Sequence, residues 1–575
     1  MLAILKYIKP YKYLIALIMV FTLIAIMLEL YLPTLMADVV DVGIVNEDVP
    51  FIIKTGGWMV LFAFFAVLFT IAVAYISNRV ALGFARDIRR RLFVKIESFS
   101  LQEFERVGPA SLITRSTNDI KQIQDVVNMM LRMMTRAPLM LVGGIIMAVS
   151  REPVLSLVFL VAMPILVGSI VLIARKAIPL FGLLQKRTDR LNLLLRETLS
   201  GIRVIRAFNR VNFEKARFTE ANNEYRDTGV KVNRIIAVVF PIMLITMNFT
   251  NIAIVWFGAI RIDQGAMQVG NLMAFLQYAM MILMSLIMMS YAFIMIPRAQ
   301  ASAERINEVL NIQAKITDSS TARKLVSDVS KLEFRNVTFH YEGAEKPALD
   351  NISFQAKAGE TIAIIGSTGA GKSTLVQLIL RYYDIDIGKI MVGDTDIRDV
   401  KIKDLRNKIG YVPQKASLFS GTIAENVRFG KDDATDTEVI EALKTAQAME
   451  FIEVKEEGIH SHISQAGANL SGGQKQRLAI ARALVRKVNI YIFDDSFSAL
   501  DYKTDARLRH ALKQKIEDAI VIIVAQRVRT VMNADRIILL NEGKLVGNGT
   551  HEELLKDNSI YQEIVASQQT EGESA

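Results

Sequence analysis

The 575-residue chain has no cysteine, which excludes disulfides and thiolate chemistry and leaves the redox compartment undetermined. Histidine is scarce as well, at five residues: His340, His460, His462, His510 and His551. Internal repeats and low-complexity tracts are absent. The opening MLAILKYIKPYKYLIALIMV lacks a signal-peptide cleavage pattern and reads as a short interfacial helix feeding a retained first span. Apolar residues are plentiful. They make up 52% of the chain, and the mean hydropathy is +0.31. That is high for a soluble protein and low for one built only of spans, so a membrane half joined to a soluble half fits. The net charge of +10 comes from basic residues that flank apolar runs and do not form one tail. This favours a membrane partner over nucleic acid.

Six segments meet the ~20-residue length of a spanning helix: residues 14–36, 55–77, 134–150, 153–174, 236–260 and 271–296. An unbroken soluble helical bundle is the weaker alternative. The loop after the first span is acidic, with Asp38, Asp41, Glu47 and Asp48. The segment after the second carries Arg86, Arg89, Arg90, Arg91, Lys95, Arg106 and Arg115, and that after the fourth is again basic, from Arg175 to Arg210. The positive-inside rule puts both long basic segments and both chain ends in the cytoplasm. Past residue 297 a polar amphipathic helix leads into a Ser/Thr-rich linker. From Leu332 short β-branched runs alternate with helical stretches, the pattern of an α/β domain. The expected organisation is a six-span α-helical membrane domain over 1–312, a linker over 313–331, an α/β P-loop domain over 332–570 and a tail over 571–575.

Within that domain IAIIGSTGAGKST runs from a strand through Gly366, Ser367, Thr368, Gly369, Ala370 and Gly371 to Lys372, Ser373 and Thr374, and on into the helix TLVQLIL. This is G-x-x-x-x-G-K-[ST] in its strand–loop–helix context. The glycines let backbone N–H groups close around phosphate. Lys372 faces the β- and γ-phosphates of ATP, and Ser373 offers a hydroxyl to Mg²⁺. In NLSGGQKQRLAIARALVRK, residues Leu470, Ser471, Gly472, Gly473 and Gln474 open a second helix whose N-terminus suits phosphate.

With that second motif the chain resembles ABC transporters of the exporter arrangement, membrane and nucleotide-binding domains fused, over essentially its whole length. The resemblance implies ATP and Mg²⁺ as cofactors and two nucleotide-binding domains facing each other, each ATP clamped between one subunit's P-loop and the other's LSGGQ. It implies roles by position. Tyr341 stacks on adenine; Gln414 reaches Mg²⁺ and the attacking water. Asp494 supports Mg²⁺, and Ser498 to Asp501 form the loop that crosses the interface. Gln465 stands where exporters usually carry glutamate.

Two further departures fall at the chemistry. The family's catalytic glutamate is Asp495 here, and its switch histidine is Gln526. Loss of one methylene withdraws a carboxylate by roughly 1.5 Å, and a misplacement of about 1 Å costs on the order of 100-fold. An amide can neither become cationic nor shuttle a proton, and none of the five histidines lies where it could substitute. Together these imply the degenerate-site subunit of a heterodimeric bacterial multidrug exporter. Its own P-loop holds ATP, its LSGGQ completes a non-identical partner's active site, and its cargo is apolar or amphipathic. Two alternatives stay open: a homodimeric exporter with slow ATPase, and an ATP-gated channel or regulatory protein on the same scaffold.

In the membrane half, Glu29 in span one and Asn248 and Asn251 on one face of span five are candidate cavity residues. For Glu29 a structural ion pair or a snorkelling position is an equal alternative. Span six carries Met280, Met281, Met284, Met288, Met289 and Met295. Ordinary helix packing is the simpler expectation for these, and promiscuous apolar binding the other.

Overall fold

A computed structural model describes residues 2–319, 321–325 and 329–573. Parts of the expected linker (320 and 326–328) and the last two tail residues lie outside the described residues. The chain forms two units, one of residues 1–97 and 108–312, the other of residues 98–107 and 313–575.

The first unit is helical. Among the described residues six helical runs are long and apolar enough to cross a membrane: Ala3–Ile44, Val49–Glu97, Pro109–Arg151, Leu155–Ser200, Val211–Asp263 and Val269–Met289. Each contains or overlaps one expected span, and most run well beyond it. Val49–Glu97 has 49 residues, and at about 1.5 Å per residue it exceeds twice the ~30 Å hydrocarbon thickness. The polar helix past residue 297 is the continuation of the sixth span, one helix over Val269–Asn311.

Polar contacts fix the helix ends. Asp41 accepts from the backbone N–H groups of Gly270 and Asn271 at 2.6 and 3.1 Å, capping the sixth helix from a distant segment. A Cβ on Gly270 would sit 2.4 Å from the Ala37 carbonyl oxygen, so only glycine allows this approach. Toward the other end Asp119, 1% exposed, accepts from Arg305 Nε at 2.8 Å and from the Ser302 hydroxyl at 3.0 Å.

The second unit is α/β. Its main sheet orders the strands Lys544–Gly549, Arg536–Asn541, Thr361–Gly366, Ile520–Val524, Ile490–Asp494 and Ile409–Val412. All neighbours are parallel except the first pair. The central strands read IAII, IYIF and IVIIV because helices cover both faces of a parallel sheet. Alternate residues feed two cores: Ile362, Ile364, Ile492 and Ile522 on one side, Ala363, Ile365, Phe493 and Ile523 on the other. A four-stranded antiparallel sheet with Lys331–Phe339 and Ile387–Val392 at its centre carries Tyr341 at its margin. The final helix, Ser559–Glu573, includes residues 571–573, so that part of the expected tail is helical.

The segment Ser98–Val107 lies between the second and third spans in sequence but belongs to the α/β unit. Leu101 packs on the same core as Tyr341. Gln102 Nε2 donates to Glu342 at 2.6 Å, and the Tyr383 hydroxyl donates to Glu105 at 3.2 Å. Burial, then the charge of Glu105, pushes the Tyr383 hydroxyl well above the usual phenol range.

Candidate functional site

Parallel strands point their carboxyl ends one way, and ligands of such sheets bind there. Four neighbouring strands deliver the predicted residues to this edge. Thr361–Gly366 leads into the P-loop, Ile490–Asp494 ends on the acid pair, Ile520–Val524 precedes Gln526 and Ile409–Val412 precedes Gln414.

The P-loop closes tightly. A Cβ on Gly366 would lie 2.1 Å from the Leu540 carbonyl oxygen. Gly371 holds φ +94°, where a Cβ would stand 2.7 Å from the Ala348 carbonyl oxygen. Ser367, Thr368 and Gly369 are exposed at the loop's tip, while Ala370 is buried beneath it. Lys372 starts the helix Lys372–Ile379, and its Nζ donates to the Gly366 and Ser367 carbonyls at 2.7 and 2.8 Å. That centres the ammonium inside the loop, where phosphate oxygens would compete for it. Burial lowers the Lys372 pKa, opposed by Asp495 and Asp494. The Thr374 hydroxyl pairs with that of Tyr341 at 3.0 Å, tying the predicted adenine-stacking ring to the P-loop helix.

Asp494 is 6% exposed. Burial and the neighbouring Asp495 raise its pKa, while hydrogen bonds from Ser373 and Tyr411 and the charge of Lys372 oppose the rise. A buried acid and a half-buried one beside a hydroxyl and an amide form a hard-oxygen donor set. It fits Mg²⁺, which uses one or two carboxylates with phosphate and water. Among the described residues no cluster of three or more His, Asp or Glu could hold a metal by itself.

Asp495 has φ 45°, a left-handed conformation that aspartate tolerates better than most residues. Its N–H donates to the Val524 carbonyl at 2.9 Å. Its Oδ2 accepts from Gln414 Nε2 at 3.2 Å and from Gln526 Nε2 at 3.3 Å. Both departures from the family pattern therefore meet at one oxygen atom. Two neutral donors hold the short carboxylate, and neither can take up a proton.

Ser471 caps the helix Gly472–Leu484 in a reciprocal box with Gln474: Gln474 N–H donates to Ser471 Oγ at 3.3 Å and Ser471 N–H to Gln474 Oε1 at 2.9 Å. Leu470 is buried behind it, whereas Ser471 and Gly472 are exposed. A Cβ on Gly473 would come within 3.1 Å of the Ala499 carbonyl oxygen, which sets the signature against the Ser498–Asp501 loop. In that loop Ser498 Oγ donates to the Asp495 carbonyl at 2.9 Å, and Asp501 accepts from Thr504 N–H at 3.0 Å. Among the described residues no hydrogen bond joins Leu470–Gln474 to the P-loop.

Two contributors escaped the sequence reading. Tyr411 hydrogen-bonds Asp494; it lies three residues before Gln414, which was a usable signal. Gln568 gave none. From the last helix its Oε1 accepts from Val528 N–H at 2.8 Å and its Nε2 donates to the Gln526 carbonyl at 2.7 Å, so it clamps the backbone that aims Gln526. Two such bonds contribute roughly 1–3 kcal/mol. Gln568→Ala is expected to shorten ATP retention about tenfold, read as nucleotide release after rapid dilution.

In the helical unit Asn248 and Asn251 line one cavity of about 870 Å³. The Asn251 Oδ1 is buried without a partner. Glu29 lines a different cavity of about 310 Å³, which shares Gln277 and Met280 with the first. Glu29 is ion-paired with Arg136 at 2.5 Å, the structural pairing that had been its alternative. Four of the six methionines, Met280, Met281, Met284 and Met288, line this cavity. Met280 and Met284 are about half exposed.

Residues 15–286 match the ABC transporter transmembrane region and residues 349–498 the ABC transporter family. An ABC transporter ATP-binding protein of Mycobacterium tuberculosis is 42% identical over 567 residues, 98% of this chain and 97% of its own. An ATP-dependent lipid A-core flippase of Syntrophus aciditrophicus is 31% identical over 494 residues, 86% and 81% of the two chains. Among solved structures a bacterial Atm1-family ABC exporter with ATP bound superposes with TM-score 0.82 at 25% identity, covering 97% of this chain and 98% of that one. The chain belongs to the ABC transporter family, as an exporter-type half-transporter whose membrane region and ATPase domain share one polypeptide and couple ATP hydrolysis to transport.

Proposed function

We propose that this chain is the degenerate-site subunit of a heterodimeric exporter of apolar or amphipathic compounds. Its P-loop site binds Mg–ATP through Lys372, Ser373, Asp494 and Gln414 and hydrolyses it poorly. Its Leu470–Gln474 signature completes the site in which a non-identical partner's ATP is turned over. The observation that carries this reading is the single oxygen Asp495 Oδ2, held between Gln414 and Gln526. When bound, Mg²⁺ supplies charge neutralisation of the phosphates. Asp495 then has to orient water, and its reach is one methylene short with no imidazole beside it. Both long basic segments, the α/β unit and the chain ends are placed on the cytoplasmic side of the cell membrane.

The purified chain is expected to show little ATPase, and activity should appear on co-expression with a half-transporter carrying the glutamate and histidine. Brisk turnover by the chain alone would contradict the assignment. Coupling is expected through Leu101–Arg106 and Asn209–Phe213. Since the chain has no native cysteine, Phe104→Cys and Phe213→Cys give clean cross-links to cysteines placed near Gln414, one within a chain and one across to the partner. Failure of both to reach any nucleotide-binding domain would refute that placement.

A further inference from the structure

The methionine-lined cavity adjoins a second, polar chamber of about 620 Å³ that contains Thr22, Asp125, Asn128, Arg132 and Arg136. Arg136 and Met288 line both, so the chambers meet there. Asp125, Asn128, Arg132, Arg136 and Met140 follow one another along the third helical run, which takes a π-helical turn at Met130–Met134. Such turns gather at functional sites. Polar side chains therefore give way to an apolar one along one axis: acid, amide, base, paired base, then methionine. The Glu29 end of the ion pair lies nine residues before Asp38, about 14 Å along the helix from the outer contact of Asp38 with Arg151 at 3.7 Å.

The charge count selects a ligand class. Arg136 is neutralised by Glu29 at 2.5 Å. Two opposite charges remain. The Arg132 guanidinium and the Asp125 carboxylate are exposed to the chamber, and neither has a hydrogen bond or ion pair with another described side chain. Two buried polar atoms are also unpartnered, the Thr22 hydroxyl, on a residue 3% exposed, and Asn128 Oδ1. Asn128 Nδ2 is already used, donating to Asn78 at 2.9 Å. Asp125 and Asn128, one turn apart, thus offer acceptors, and Arg132 with Thr22 offers donors. Unpaired ionisable groups that line a chamber between span-capable helices are candidates for a ligand path.

Resting on the exporter reading above, we infer that the two chambers form one site for a zwitterionic amphiphile with a primary ammonium group, a phosphate-type anion and an apolar chain. The ammonium N–H groups meet Asp125 and Asn128 Oδ1, the anion meets Arg132 and Thr22, and the chain lies among Met140, Met280, Met281, Met284 and Met288. A purely anionic head would leave Asp125 unmatched and repelled, and a purely cationic one would do the same to Arg132.

The test uses the full chain in a non-ionic detergent, with binding of dodecanoyl lysophosphatidylethanolamine, dodecanoyl lysophosphatidylglycerol, dodecylamine and free phosphoethanolamine measured by equilibrium dialysis. The first is expected to bind best. Asp125→Asn should weaken it about tenfold, the contribution of one charged hydrogen bond, and should spare or improve the phosphatidylglycerol form. Arg132→Gln should weaken both phosphate-bearing lipids and spare dodecylamine. Free phosphoethanolamine should bind far more weakly, which separates an amphiphile site from a phosphate site. Both side chains lack partners, so neither change removes a folding contact. A wild-type preference for the anionic lipid, or selectivity unmoved by either substitution, would overturn the inference. These readouts need neither ATP turnover nor a partner subunit, so their failure is distinct from failure of the exporter reading.

Discussion

Ser471→Arg or Gly472→Asp in this chain is expected to lower ATP turnover of the assembled transporter by roughly 10²–10³-fold, while Lys372→Ala leaves most of it. The usual ranking is the reverse, because the P-loop lysine is the cation of this chain's own nucleotide site. Two structural facts set the order. Lys372 serves a site in which Asp495 is held by amides, so removing it weakens nucleotide retention where little hydrolysis takes place. Ser471 and Gly472 stand exposed at the mouth of a capped 13-residue helix, and in the proposed dimer they face the partner's γ-phosphate. A Cβ at Gly472 meets nothing within 4 Å. The aspartate is thus accommodated in the fold and acts by placing a negative charge at a helix N-terminus that would otherwise stabilise phosphate. Both variants are to be measured at saturating ATP.

Asp495→Glu combined with Gln526→His is expected to raise turnover at this chain's own P-loop site by about two orders of magnitude, assayed in the assembled transporter with the partner's catalytic glutamate replaced by glutamine. The glutamate restores roughly 1.5 Å of reach, and a misplacement of about 1 Å already accounts for some 100-fold. The histidine adds a group able to carry a proton and a positive charge near neutral pH. Each single change should give only part of the gain, since Gln526 now donates to the same Asp495 oxygen that the longer side chain would move and contacting residues do not act additively. No increase in the double variant would place the defect elsewhere.

The catalytic edge was legible because its parts are local. A P-loop is one contiguous strand, turn and helix, and each remaining residue follows directly on an apolar strand that periodicity reveals. Parallel pairing then brings Gln414, Asp494, Asp495 and Gln526 together without further information. Gln568 was not legible, since it reaches Gln526 across 42 residues through a side chain to backbone contact and carries no pattern of its own. The Glu29–Arg136 pair was half legible. An acid inside a span stood out, but its partner sat at the start of another span, where basic residues are ordinary. The placement of Ser98–Val107 with the α/β unit follows from the packing of Leu101 and the hydrogen bonds of Gln102 and Glu105, which no periodicity reports.

The division of labour between the two nucleotide sites can be read directly from what each P-loop holds after turnover. The assembled transporter is loaded with adenine-labelled azido-ATP, allowed one catalytic cycle and irradiated, and the nucleotide linked to each separated subunit is identified. Intact triphosphate on this chain beside diphosphate on its partner is the expected result. Diphosphate accumulating on this chain as fast as on the partner would contradict the assignment of its P-loop as a retaining, poorly hydrolysing site.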